Sequence, residues 1–202
     1  MQFCLCCRNF YLETFEDIVC SPSNPCADLD NCTTIVDSCG VAPARGDLAA
    51  TVSASLKFKA SADVMCNLNM PLDGQWRNVL HMTGGGALGD IGDRTFAIFR
   101  KQRQNELYIT VNDPTGAHNE RFFSVACSDG EWNNYSVEVR QLEDNPANVK
   151  FTLKQDETVV GEGEYPASGA YSSGDLEAWT SSDWMESASS YFVRNFIFQT
   201  FE

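Results

Sequence analysis

Residues 135–154 read YSVEVRQLEDNPANVKFTLK, and their alternation decides the fold class. Tyr135, Val137 and Val139 are apolar, whereas Ser136, Glu138 and Arg140 are polar. Val149, Phe151 and Leu153 repeat the pattern against Lys150, Thr152 and Lys154. Successive side chains of a strand point to opposite faces, so period two marks strands with one face in a core and one in water. Val52, Ala54, Leu56, Phe58 and Ala60 alternate in the same way. Further strands are predicted over 64–70, 76–83, 95–100, 106–112, 121–126, 157–164, 175–180 and 191–200, separated by Gly, Asp, Asn and Pro. No segment carries helical periodicity with caps. Ten or more strands in about 155 residues predict an all-β chain: a two-sheet antiparallel sandwich over residues 47–202, preceded by a Cys-rich N-terminal arm over residues 1–46.

The 202 residues include 28 acidic and 14 basic side chains, a formal net charge of −14, with 43% hydrophobic residues. That apolar share argues against wholesale disorder. Phosphate binding needs Lys/Arg clusters, and the sequence has none, so nucleic acid is not an expected partner. No apolar run approaches the ~20 residues of a bilayer-spanning helix, so no membrane insertion is expected. The acidic residues are scattered, which reads as a solvated surface.

Seven of the nine cysteines lie in the first 39 residues: Cys4, Cys6, Cys7, Cys20, Cys26, Cys32 and Cys39. Such density in a loop-rich segment reads as a disulfide framework made in an oxidising compartment, hence a secreted, extracellular protein. Zinc is the rival reading, but no pair of CxxC motifs is present, and five or six residues separate Cys20, Cys26, Cys32 and Cys39. Cys66 and Cys127 both fall on predicted strands and can bond if those strands are neighbours. Nine is odd, so one thiol is free or joined to another chain. Residues 1–19 are interrupted by Arg8, Asn9, Glu13, Glu16 and Asp17 and do not read as a secretory signal, so a mature chain, a fragment or an incomplete gene model is expected. Two N-glycosylation sequons begin at Asn31 and Asn134. Asn134 lies opposite the apolar face of its strand and is expected to be exposed.

Residues 8–16, RNFYLETFE, and 194–202, RNFIFQTFE, agree at six of nine positions across a separation of 186 residues. One reading is a tandem repeat, with 8–16 the closing strand of a preceding unit and a new unit starting near Asp17. The other is that both are edge strands of one sheet with similar side-chain needs. On either reading, such strands could exchange between subunits and build a head-to-tail filament.

The segment Gln75–Phe99, QWRNVLHMTGGGALGDIGDRTFAIF, resembles animal extracellular domains of the concanavalin A-like, laminin-G-like jelly-roll type. The matching residues are Trp76, Arg77, Asn78, Val79, Leu80 and His81, then Gly92, Asp93 and Arg94. Glu131-Trp132, then Ser182, Asp183 and Trp184, then the strand from Tyr191 to Ile197 match later pieces in order. The resemblance covers residues 47–202 and implies the jelly-roll fold, though jelly rolls carry many functions. Trp179-Thr180 departs from the pattern, which has smaller residues there.

Concanavalin A-like glycoside hydrolases resemble one another in an E-x-D-x-x-E strand that brings two carboxylates to one cleft. The i,i+2 pairs here are Asp28/Asp30, Asp129/Glu131, Glu162/Glu164 and Asp175/Glu177, and none has the third carboxylate at i+5. The two histidines, His81 and His118, and the lack of G-x-S-x-G give no nucleophilic constellation, so no catalytic activity is expected. His81, in an apolar strand, reads as a satisfied sheet residue, and His118, in a turn, as solvated. Asp90 and Asp93 with nearby carbonyls offer hard oxygen ligands for Ca²⁺, and the resemblance adds to that expectation; alternatively Asp93 pairs with Arg94 to pin the hairpin. Trp179, Trp184 and Tyr171, among Ser and Asp, form a candidate glycan site by stacking. Trp76 and Trp132 are assigned to the core. The expected function is a non-catalytic secreted module for adhesion or for matrix or filament assembly, with self-association or other extracellular proteins as partners. The alternative is a lectin-like carbohydrate-binding module.

Overall fold

The computed structural model describes residues 23–66, 75–84, 90, 92–101, 106–116, 120–169, 174–181 and 191–201. The described residues form twelve strands: β1 (Cys32–Val36), β2 (Asp47–Ser53), β3 (Phe58–Met65), β4 (Trp76–Thr83), β5 (Phe96–Lys101), β6 (Glu106–Asn112), β7 (Glu120–Ala126), β8 (Trp132–Gln141), β9 (Asn148–Gln155), β10 (Thr158–Pro166), β11 (Asp175–Ser181) and β12 (Phe192–Thr200). They form two six-stranded sheets, ordered β1-β12-β3-β8-β9-β10 and β2-β11-β4-β5-β6-β7. Every strand pair is antiparallel. The expected all-β, two-sheet sandwich is the observed fold.

The quoted alternation produces β8 and β9. Tyr135, Val137 and Val139 pair across the strands with Gln155, Leu153 and Phe151. The apolar members of both strands are buried, while Glu138 and Arg140 point away. The second sheet answers with Leu80, Met82, Phe96, Ile98, Leu107, Ile109, Val111, Leu176 and Ala178 in the same core. Phe196 meets Phe96 at 6.5 Å between ring centroids, joining the two layers, and Phe198 stacks on Phe58 at 5.3 Å. Burying large apolar side chains stabilises each by about 1.5–3 kcal/mol.

The structure corrects three expectations. The alternating run from Val52 to Ala60 is not one strand. It breaks where the Ser55 hydroxyl accepts from the Lys57 amide and donates to the Lys57 carbonyl, each at 3.1 Å. The chain there crosses from β2 in one sheet to β3 in the other. Second, part of the Cys-rich arm belongs to the sandwich: β1 pairs with β12, and Val36 enters the core. Third, β12 lies between β1 and β3, so the account of residues 194–202 as an edge strand does not hold. The matching segment 8–16 lies outside the described residues.

Cys66 and Cys127 are bonded, with 6.1 Å between Cα atoms, and they tie the end of β3 in the first sheet to the end of β7 in the second. Cys26 bonds Cys32. Cys39 is also in a disulfide. Cys4, Cys6, Cys7 and Cys20 lie outside the described residues. Among the described residues, no helix is long and apolar enough to cross a membrane.

Candidate functional site

The outer face of the second sheet is not the polar surface that simple alternation predicts. Register places Trp179, His81, Ala97, Thr110 and Phe122 in one cross-strand row over β11, β4, β5, β6 and β7. Their chain neighbours Ala178, Met82, Phe96 and Val111 face the core. A parallel row holds Asn78, Phe99, Tyr108 and Ser124. With strands ~4.8 Å apart, five strands span about 19 Å.

Trp76, Tyr108 and Phe122 gather at one end of this face. The Trp76 ring lies 5.1 Å from Tyr108, 6.2 Å from Phe122 and 6.5 Å, edge on, from the buried Phe99. Phe122 is 43% exposed, and Trp76 and Tyr108 are half-buried. Glu106 borders the cluster, accepting from the Ser124 hydroxyl at 2.6 Å and from the Tyr108 hydroxyl at 3.4 Å. Desolvation, then the charge of Glu106, pushes the Tyr108 phenol up, so it is a neutral donor at pH 7. The result is an aromatic platform edged by hydroxyls and a carboxylate.

Behind the platform the face is polar but buried. Arg94 lies 5.0 Å over the Phe99 ring and 5.7 Å from Phe122, close enough for cation–π attraction. Its Nη1 donates to both Glu120 carboxylate oxygens, at 2.6 and 2.5 Å. Neither side chain exceeds 8% exposure. Asn112, opposite Glu120 in the ladder, accepts from the Gly92 amide at 3.0 Å. His81 is fully buried, and its Nε2 bonds the Asp93 carbonyl at 2.5 Å, which assigns the proton to Nε2. Burial lowers its pKa to about 4, against the raising effect of the Asp93 bond and with a smaller contribution from Arg94. The ring is therefore neutral at pH 7.

Of the residues proposed for sugar stacking, Trp179 lies half-buried on this face beside His81. Trp184 and Tyr171 lie outside the described residues, as does His118. Asp90 is exposed. The Asp93 carboxylate accepts from the Asp90 amide at 2.8 Å, and Arg94 pairs with Glu120 rather than with Asp93. Among the described residues, no group of three His, Cys, Asp or Glu side chains is placed to hold a metal ion. Asn31 is exposed. Asn134 is half-buried and donates to Asp63 at 2.8 Å. Trp76 and Trp132 are not core residues: both lie on outer faces, Trp132 beneath the guanidinium of Arg194 at 4.1 Å. Sequence reasoning missed Tyr108, Phe122 and the Arg94–Glu120 pair. The consecutive Phe122-Phe123 on a predicted strand was the available signal, since one of the two must face away from the core.

No family model and no curated protein match the chain. Solved structures do. An alginate lyase Aly36B mutant in complex with an alginate trisaccharide aligns over 93% of this chain and 96% of its own, at 10% identity and a TM-score of 0.52. A second mutant of that enzyme, in complex with an alginate tetrasaccharide, aligns over 75% and 72%, at 12% identity and the same TM-score. A pentraxin from Limulus polyphemus aligns over 75% and 65%, at 12% identity and a TM-score of 0.42. The two lyase likenesses are of fold, and they do not extend to the animal extracellular, laminin-G-like part of the resemblance. They correct the expectation that the chain has no catalytic activity. A lyase cleaves by elimination, which needs a base and stabilised charge rather than a carboxylate triple or a nucleophile, so excluding hydrolysis excluded too much. What the chain shares with them is the two-sheet antiparallel sandwich.

Proposed function

We propose that the chain is a saccharide-recognising jelly-roll module whose binding surface is the outer face of the second sheet. The aromatic platform of Trp76, Tyr108 and Phe122 carries this reading. Sugar rings stack on such planes while hydroxyls and carboxylates at the edge read their hydroxyl groups. Glu106, Ser124 and the Tyr108 hydroxyl stand where those groups are needed. Arg94 is neutralised by Glu120, so the face offers stacking more than positive charge, which favours neutral sugars over acidic ones. Trp179 at the far end of the cross-strand row extends the surface beyond one ring. The fold shared with an alginate lyase solved with its oligosaccharide supports a sugar-directed role. The disulfides support an extracellular setting.

The test is retention on immobilised neutral and acidic polysaccharides, followed by calorimetry with the retained oligosaccharide. Phe122→Ala, an exposed position, is expected to weaken binding about tenfold, roughly 1.4 kcal/mol, with the melting temperature held. Trp179→Ala is expected to weaken it less. No retention of the parent chain on any polysaccharide, or equal affinity in both variants and the parent, refutes the reading.

A further inference from the structure

Among the described residues each sheet ends in two edge strands, β1 and β10 in the first and β2 and β7 in the second. An edge presents unpaired amides and carbonyls that invite another strand, and proteins blunt it with short length, bulges, charge or Pro. Three of the four edges are blunted. β1 has five residues and an irregular register between Thr34 and Val36. β2 shifts register against β11 between Ala178 and Trp179 and again between Trp179 and Ser181. β10 is irregular between Val159 and Gly161, carries Glu162 and Glu164, and ends at Pro166.

β7 is different. Every residue from Glu120 to Ala126 pairs with β6 in unbroken register, and the strand contains no Pro. Its two ionisable side chains are neutralised within the chain: Glu120 pairs with Arg94, and Arg121 pairs with Asp113 at 2.6 Å. Phe122, Ser124 and Ala126 are exposed on its outer face. The Ala126 carbonyl, at the end of the strand, accepts from the Tyr135 hydroxyl at 3.3 Å and the Gln155 amide group at 3.2 Å. Among the described residues, the backbone of residues 121–125 has no bonding partner outside β6. The strand is a straight, charge-neutral edge on a chain whose formal net charge is −14.

We infer that the β7 edge pairs with the β7 edge of a second copy of this chain, joining the two second sheets into one twelve-stranded sheet across a two-fold axis. An antiparallel edge is self-complementary under such an axis. With Phe123 opposite itself, Phe122 of each copy stands opposite Ser124 of the other, on the outer face. The two aromatic platforms become neighbours on one continuous surface. Charge selects this edge for a second acidic chain: β10 would bring Glu162 and Glu164 against their own copies, whereas β7 brings charges already cancelled. β10 packs over β7, with Gly161 against the Phe123 ring, so its acids add a repulsion between copies that salt screens beyond ~8 Å. The pairing uses the backbone and does not depend on what the platform binds.

Sedimentation of the full chain between about 1 and 100 µM, with amide hydrogen exchange, tests this. A dimer is expected, tightening as salt is raised because the two copies repel at long range. Amides within residues 121–125 are expected to exchange more slowly as the dimer fills, since alternate edge amides gain partners. Ser124→Glu sets a carboxylate against Phe122 of the other copy and is expected to weaken the dimer about tenfold. Val159→Glu, an equally exposed change on the β10 edge, is expected to leave it unchanged. A chain that stays monomeric over this range, a dimer that weakens with salt, unchanged exchange of residues 121–125 in the dimer, or equal effects of the two variants overturns the inference.

Discussion

Removing the Glu120 carboxylate should destabilise the sandwich far more than removing the whole ion pair. Arg94 and Glu120 are 8% and 2% exposed, so both charges sit out of water. Glu120→Ala leaves a guanidinium packed against Phe99 and Phe122 without its carboxylate. Breaking one side of a buried pair typically costs about 3–5 kcal/mol, whereas replacing both partners by apolar residues is near neutral. At ~2–4 °C per kcal/mol for a chain of this size, Glu120→Ala lowers the melting temperature by about 6–20 °C. Arg94→Met with Glu120→Leu should stay within about 1 kcal/mol of the parent. Urea unfolding followed by tryptophan fluorescence, with thermal melts by circular dichroism, reads both. If Glu120→Ala costs under about 1 kcal/mol, or if the double variant is no more stable than Glu120→Ala, the pair is not the buried unit described.

Gly161→Ala places a Cβ 2.3 Å from the Phe123 ring, so β10 or that ring must shift, and a loss of about 1–3 kcal/mol is expected in urea melts. The Cys66–Cys127 bond closes a long loop, at a sequence separation of 61, and replacing both cysteines by serine should cost about 4 kcal/mol in the same assay. His81 has a folded pKa of about 4 against 6.5 unfolded, so its contribution is complete above pH 6.5 and is lost as pH falls towards 4. The shift is worth about 3 kcal/mol, and His81→Gln should flatten stability against pH across that window. Asn134 spends its side-chain amide on Asp63 within the sheet while Asn31 is exposed. Mass spectrometry of chain secreted from eukaryotic cells is therefore expected to find a glycan that Asn31→Gln removes and Asn134→Gln does not.

The sandwich was legible because burying one face of a strand imposes period two, as Tyr135 to Val139 and Val149 to Leu153 show. The crossover at Ser55–Lys57 was not, because the alternation of Val52, Ala54 and Leu56 runs through it unchanged. Only the local hydroxyl bonds and the pairing of β2 and β3 in different sheets reveal the break. β1 was hidden by its five residues, CTTIV, of which only Val36 is buried. Trp76 and Trp132 were misplaced because large aromatics on outer faces look like core residues until parity is anchored by neighbours such as Leu80 and Tyr135. Part of the site was legible in Trp179. The Arg94–Glu120 pair spans 26 residues, a distance at which sequence offers no periodicity to read.

The placement of β1 beside β12 has a mechanical consequence. The two strands run antiparallel, with Cys32 opposite Gln199 and the Asn31 carbonyl bonded to the Thr200 amide. Tension applied between residue 31 and residue 200 would load these rungs one after another, from that end inward. The junction would peel open at low force, as a zipper does, instead of resisting in shear. Under load, the region around the β1–β12 seam would yield first, while the disulfide between Cys66 and Cys127 keeps the two layers clasped.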